Sequence, residues 1–188
     1  YCYLLHCAVS TTGGMPASFV KLAAALCADQ GYIREKKTGR TPLCIAASYI
    51  INPSSSATTK ALACHAATAP DLFGYSNDPK ECGKVIKALI SACPDTSRIA
   101  DADGHLPLQL ALASRCSDED GIQAILSDDP RALGTRDIIT HLYPFMTAAV
   151  YAVSDDDNDD QEDLSHLNTI YKLLRLGPMI ACGFAAAE

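Results

Sequence analysis

The chain has 188 residues, with 15 lysines and arginines against 22 aspartates and glutamates and a formal net charge of −7. Seven of those acids lie between Asp155 and Asp163; the rest of the chain carries as many acids as bases and has no basic surplus to neutralise phosphates, which argues against nucleic-acid binding. A composition that is 48% apolar and 20% charged excludes a chain disordered throughout, and the length fits one domain.

Residues 1–9 are apolar but lack a basic n-region and a cleavage pattern, so no signal peptide is expected. No apolar run approaches the roughly 20 residues of a membrane-spanning helix. Leu4-Leu5-His6-Cys7-Ala8-Val9 is followed by a Gly13-Gly14 loop. Phe19, Leu22, Ala23 and Leu26 then recur at helical spacing and are expected to run until Gly31. Thr38-Gly39-Arg40-Thr41 is turn chemistry, and Pro42-Leu43-Cys44-Ile45-Ala46-Ala47 reads as a short helix opened by proline, whose missing N–H costs nothing at the first helical position. From Asn52 to Lys80 stretches an insertion rich in Ser, Ala, Thr and Pro, in which 57–68 has helical potential.

The pattern then repeats. Val85, Ile86, Leu89 and Ile90 form a helical face closed by Pro94, and Asp101-Ala102-Asp103-Gly104 is a turn. Leu106-Pro107-Leu108-Gln109-Leu110-Ala111 restarts a short helix, and Ile122, Ile125 and Leu126 give a second helix closed by Pro130. Tyr143-Pro144-Phe145-Met146-Thr147-Ala148 starts the last unit. The acidic stretch 154–163 follows, and Leu167, Ile170, Tyr171 and Leu174 form a final helix closed by Gly177-Pro178. Pro94 to Pro130 spans 36 residues and Pro107 to Pro144 spans 37, so two landmarks give nearly one period.

Turn, proline-led helix with alanine one turn later, second helix and return loop resemble ankyrin repeats, whose period is about 33 residues. The resemblance covers residues 1–51, 80–153 and 164–180, and Thr38–Ala47 is its best copy. It implies an all-α ankyrin-like helical-repeat solenoid across 1–188. The units run 1–36, 37–100 with the 52–80 insertion, 101–136, and 137–180 with the acidic insertion 154–163. The first unit lacks its turn, which implies further repeats before Tyr1. The family's motif histidine, which ties a turn to its neighbour, survives as His6; Cys44, Gln109 and Met146 stand in its place elsewhere. With periods this long and no complete copy, a less cooperative array is expected.

Catalytic chemistry is not expected. Nine cysteines scattered from Cys2 to Cys182 have no C-x-x-C spacing and read as reduced, small hydrophobes of a cytoplasmic or nuclear protein. His6-Cys7 and Cys64-His65 lack an electropositive setting that would make a thiolate. Gly13-Gly14 carries no phosphate-binding pattern, so no cofactor is expected. Asp155, Asp157 and Asp159 fit the first positions of a calcium loop, but Asp160 stands where glycine is required and His166 where glutamate is, so no metal site is assigned. The acidic run reads as a solvated insertion, with a basic protein or weak divalent binding as alternatives. His105 and His141 read as turn histidines or as partner contacts.

The resemblance places partner contacts on the turns and the exposed face of the first helices. By position these are Lys37, Arg40 and Tyr49; Asp101, His105 and Arg115; and Arg136, His141 and Tyr151. The expected function is a non-catalytic protein–protein interaction module or scaffold, monomeric, with an unidentified protein partner and no membrane or nucleic acid. Alternatives are a regulatory or targeting region of a larger enzyme, and a metal- or redox-responsive protein using the cysteines and acidic loop.

Overall fold

The computed structural model describes residues 3–10, 16–48, 79–114, 119–152 and 160–178. Within them lie α1 (Leu4–Ser10), α2 (Ala17–Leu26), α3 (Pro42–Ala47), α4 (Pro79–Ala92), α5 (Pro107–Ala113), α6 (Glu119–Asp128), α7 (Pro144–Ala152) and α8 (Asp160–Leu176). Among the described residues there is no strand, so the fold is all-α, and none of these helices is long and apolar enough to cross a membrane.

The odd-numbered helices have only 6 to 9 residues. At that length a helix is marginal alone, so local chemistry and packing must hold it. In α3 the Thr41 hydroxyl accepts the Cys44 N–H at 3.2 Å and Pro42 takes the first position. In α5 Pro107 takes the same place, and the Gln109 side chain reaches back to accept the Leu106 N–H at 2.8 Å. Packing does the rest. Leu5, Cys44, Ala47, Leu108 and Ala111 are fully buried, and the small residues among them let neighbouring helices approach closely.

Each odd helix packs against the even helix that follows it, as α1 with α2, α3 with α4, α5 with α6 and α7 with α8. The pairs are also joined in two rows. α1, α3, α5 and α7 contact in succession, and so do α2, α4 and α6. One apolar core runs between the rows through Leu5, Val20, Leu43, Ile86, Leu108 and Ile125.

Three boundaries differ from expectation. α2 ends at Leu26, and Gly31 lies inside a 3₁₀ turn, Ala28–Tyr32. A Cβ on Gly31 would collide with Cys93, so that glycine serves close approach rather than termination. α4 starts at Pro79, so the insertion taken as 52–80 ends earlier. α8 starts at Asp160, so Asp160, Glu162 and Asp163 belong to a helix rather than to the acidic loop. The possible helix 57–68, the Gly13-Gly14 loop and the acids of the calcium-loop comparison lie outside the described residues.

Further 3₁₀ turns, Thr96–Arg98 and Pro130–Gly134, follow α4 and α6. These exits are laced together. The Tyr32 hydroxyl donates to the Pro94 carbonyl at 3.0 Å, and the Asp128 carboxylate accepts the N–H groups of Asp95 and Ser97 at 3.0 and 3.2 Å.

Candidate functional site: the row of turns

Three hairpin-like turns connect the exits to the next first helices, and they are closed by the same bonds. The N–H of Glu35 donates to Arg40 O, that of Asp101 to His105 O and that of Asp137 to Leu142 O, at 2.9, 3.0 and 3.0 Å. Left-handed backbone turns each chain: Gly39 (φ 65), Gly104 (φ 88) and His141 (φ 57). Glycine takes that region freely; His141, one of the residue types that enter it more often than most, does so on an exposed surface.

Acidic residues organise the turns from within. The Asp101 side chain is 0% exposed, and its Oδ1 accepts the N–H groups of Asp103 (3.1 Å) and His105 (2.9 Å). Asp137 Oδ1 likewise accepts the Ile139 N–H at 3.1 Å, and its Oδ2 the Thr140 hydroxyl at 2.8 Å. Burial raises the Asp137 pKa, but the Ile139 N–H, the Thr140 hydroxyl and His105 outweigh it and hold the carboxyl below its usual range. In the first turn the Thr38 hydroxyl donates to Glu35 at 2.6 Å.

Bonds between turns make them one unit. The Ala102 N–H donates to Thr38 O at 3.2 Å, and Arg40 Nε meets Asp101 Oδ2 at 3.3 Å. His105 sits between two carboxylates, Nδ1 at 3.4 Å from Asp101 Oδ1 and Nε2 at 3.6 Å from Asp137 Oδ1. Glycines allow the approach. A Cβ on Gly39 would lie 2.7 Å from Ala102 N, and one on Gly104 would lie 2.5 Å from Ile138 Cδ1.

The structure therefore sorts the expected contact residues into two groups. Arg40, Asp101 and His105 are brought together as the internal frame of the row. Asp101, expected as a contact, is buried at 3% and turns inward, because its carboxylate is consumed by two backbone N–H groups and the Arg40 guanidinium. Lys37, Arg136 and His141 are exposed along the turns, and Tyr151 is exposed on α7. The Arg136 guanidinium lies 4.6 Å from the centre of the Tyr143 ring, which itself stacks on Phe145 at 6.3 Å. Tyr49 and Arg115 lie outside the described residues. Asp137 was missed in the sequence, although it stands 36 residues after Asp101, one period on, and begins the same kind of turn. Ile138 and Ile139, 65% and 61% exposed, were missed as well.

Between them the exposed tips change character along the row. Lys36 and Lys37 lead, Asp103 follows, and Ile138 and Ile139 end it. Such a gradient of basic, acidic and apolar groups can orient a partner. Asp101, Asp103 and His105 each offer a ligand atom within 4.8 Å of the others. A cation there would have to displace Arg40 from a carboxylate already satisfied by the protein, so this donor set does not suit a metal.

Three of the five described thiols are turned into the packing and donate to backbone carbonyls, whereas Cys7 is exposed. Cys44 Sγ donates to Ile99 O at 3.4 Å, Cys93 Sγ to Ala28 O at 3.3 Å and Cys82 Sγ to Ala46 O at 3.6 Å. Burial pushes the Cys44 and Cys93 pKa values up, away from thiolate chemistry. His6 departs from the role the resemblance implies. Both its ring nitrogens are buried without a hydrogen bond, beside the Tyr3 ring at 5.5 Å. At the equivalent place in α3 and α5, Cys44 and Gln109 do reach an exit carbonyl, Gln109 Nε2 donating to Thr135 O at 3.5 Å. Compared with protein-family models, with curated proteins and with solved structures, the chain matches none of them.

Proposed function

We propose that the chain is a divergent ankyrin-like solenoid, a single repeat array across 1–188, that acts as a non-catalytic protein–protein interaction module. One observation carries this reading: three turns far apart in sequence are tied side by side, through Ala102 to Thr38, Arg40 to Asp101 and His105 to Asp137. A surface fixed in advance spends little ordering entropy when a partner docks, which is what a display scaffold requires. Lys37, Arg136, His141 and Tyr151 are its contact residues, on the concave side that such a solenoid would have. The partner is a protein, and the compartment is the cytoplasm or nucleus, where thiols stay reduced.

The test uses the full chain as bait, beside a Lys37→Ala, Arg136→Ala, His141→Ala variant. All three residues are exposed, so the variant should keep the parent's far-UV circular dichroism, with a midpoint lowered slightly by loss of the Arg136–Tyr143 contact and by alanine at the φ of 57 of His141. The reading expects proteins captured by the parent to be lost from the variant. A partner held equally by both would move the contact surface off the turns.

A further inference from the structure

The exposed tips of the tied turns differ in chemistry, and the bonds between the turns fix their order. On the first turn Arg34, Lys36 and Lys37 are exposed, and among the described residues their side chains make no hydrogen bond or ion pair. The other charged groups of that turn are engaged, Glu35 by the Thr38 hydroxyl and Arg40 by Asp101. The first tip therefore carries a cationic surplus.

The second tip is of opposite sign. Asp103 is exposed, and among the described residues its carboxylate has no ion pair. At the third tip Ile138 and Ile139 lie bare, because Thr140, the polar side chain beside them, is turned to Asp137. Ile138 also leans against Gly104 of the second turn, so the apolar tip is continuous with its neighbour. Adjacent exposed isoleucines mark a contact surface, and unpaired charges of known sign select the groups that face them. A polyanion such as a phosphate-rich surface would be drawn to the first tip and repelled at Asp103. A charge laid over the isoleucines would lose water without gaining a counter-charge.

We propose that the row binds an extended protein segment whose acids face Arg34, Lys36 and Lys37, whose one base faces Asp103 and whose apolar side chains cover Ile138 and Ile139. This rests on the reading of the row as a partner surface and adds the partner's chemistry. The spacing follows from the stack. The three turns lead into α3, α5 and α7, which contact in succession. Two helix spacings of about 8–10 Å each separate the first tip from the third, a span that roughly five or six extended residues cover.

Fluorescence anisotropy of the full chain with labelled synthetic peptides tests the proposal. The probe carries three glutamates, a six-residue glycine–serine spacer with one central lysine, and two leucines. The full chain should bind it, and Lys36→Glu with Lys37→Glu should weaken binding about tenfold, as should Ile139→Ser. These side chains are exposed, so far-UV circular dichroism of both variants should match the parent. A peptide with lysines in place of the glutamates should prefer the charge-reversed variant, and shortening the spacer to two residues should weaken binding to the parent. No binding of the probe, equal binding of a peptide with the same residues in scrambled order, or equal binding by the charge-reversed variant would overturn the proposal. The underlying reading fails separately, when a captured partner is held equally by the parent and the Lys37→Ala, Arg136→Ala, His141→Ala variant.

Discussion

Replacing Asp101 with alanine should be among the most damaging single changes in this protein, although it alters a turn. The carboxylate is fully buried and accepts the N–H groups of Asp103 and His105 and the Nε of Arg40. Alanine leaves two backbone donors and a half-buried guanidinium without their acceptor. Hydrogen bonds to a charged group contribute about 1.5–3 kcal/mol each, and breaking a buried pair costs about 3–5 kcal/mol. These overlap, since the same atoms are involved, so the expected loss is about 3–5 kcal/mol. For a chain of this size that lowers the midpoint of thermal unfolding by roughly 6–20 °C. Asp101→Asn keeps one acceptor oxygen and should lose less. Asp103→Ala, exposed on the same turn, should stay within about 0.5 kcal/mol of the parent. Denaturant titration followed by circular dichroism at the helical band reads all three. If Asp101→Ala and Asp103→Ala unfold at the same midpoint, the frame assigned to Asp101 is wrong.

Glycine substitutions should rank against their φ values. Gly39→Ala places a Cβ on backbone, Ala102 N, whereas Gly104→Ala meets the flexible tip of Ile138, so Gly39→Ala should cost more, at least about 1 kcal/mol. Equal midpoints for the two would show that the turns do not pack as described. Because the Asp137 pKa is lowered on folding from its ordinary 3.8, its contribution is fully present above that pH and is lost as pH falls through the folded value. Stability measured from pH 6 downward should therefore fall less steeply in Asp137→Asn than in the parent; parallel curves would contradict the assignment. In native protein, Cys7 should react readily with a thiol reagent while Cys44 and Cys93 stay protected until unfolding. Fast labelling of Cys44 would favour a redox role. Leu43→Ala, at a position 1% exposed, should cost about 2–5 kcal/mol in the same denaturant assay.

The first helices were legible because their signals are local. A proline at the first position, a capping threonine and alanines one turn later act within six residues, and α3 and α5 start where those signals place them. What failed was long-range. Gly31 looks like a helix stop in the chain, and only the neighbouring Cys93 shows that its role is close approach. The acidic run reads as one solvated loop, yet its last acids open α8, since local charge density does not say which side of a helix start it lies on.

The turn row shows the same limit more sharply. Arg40, Asp101 and His105 are residue types that ordinarily sit in solvent, and turn chemistry alone puts them at the tips. That Arg40 faces Asp101 across 61 residues depends on how two helix pairs stack around an insertion. Asp137 was within reach of the periodicity argument, one period after Asp101, and was passed over because a lone acid before Ile138-Ile139 carries no motif.

The central claim is that three separate turns form one surface held in place before any partner arrives. Amide exchange over 35–40, 101–105 and 137–142 in the free protein tests it directly, with Ala102 as the key position because its N–H crosses between turns. The account predicts protection of the Ala102 amide comparable to that of α3 and α5, and its loss in Asp101→Ala. Exchange of Ala102 as fast as that of a solvated loop would contradict it.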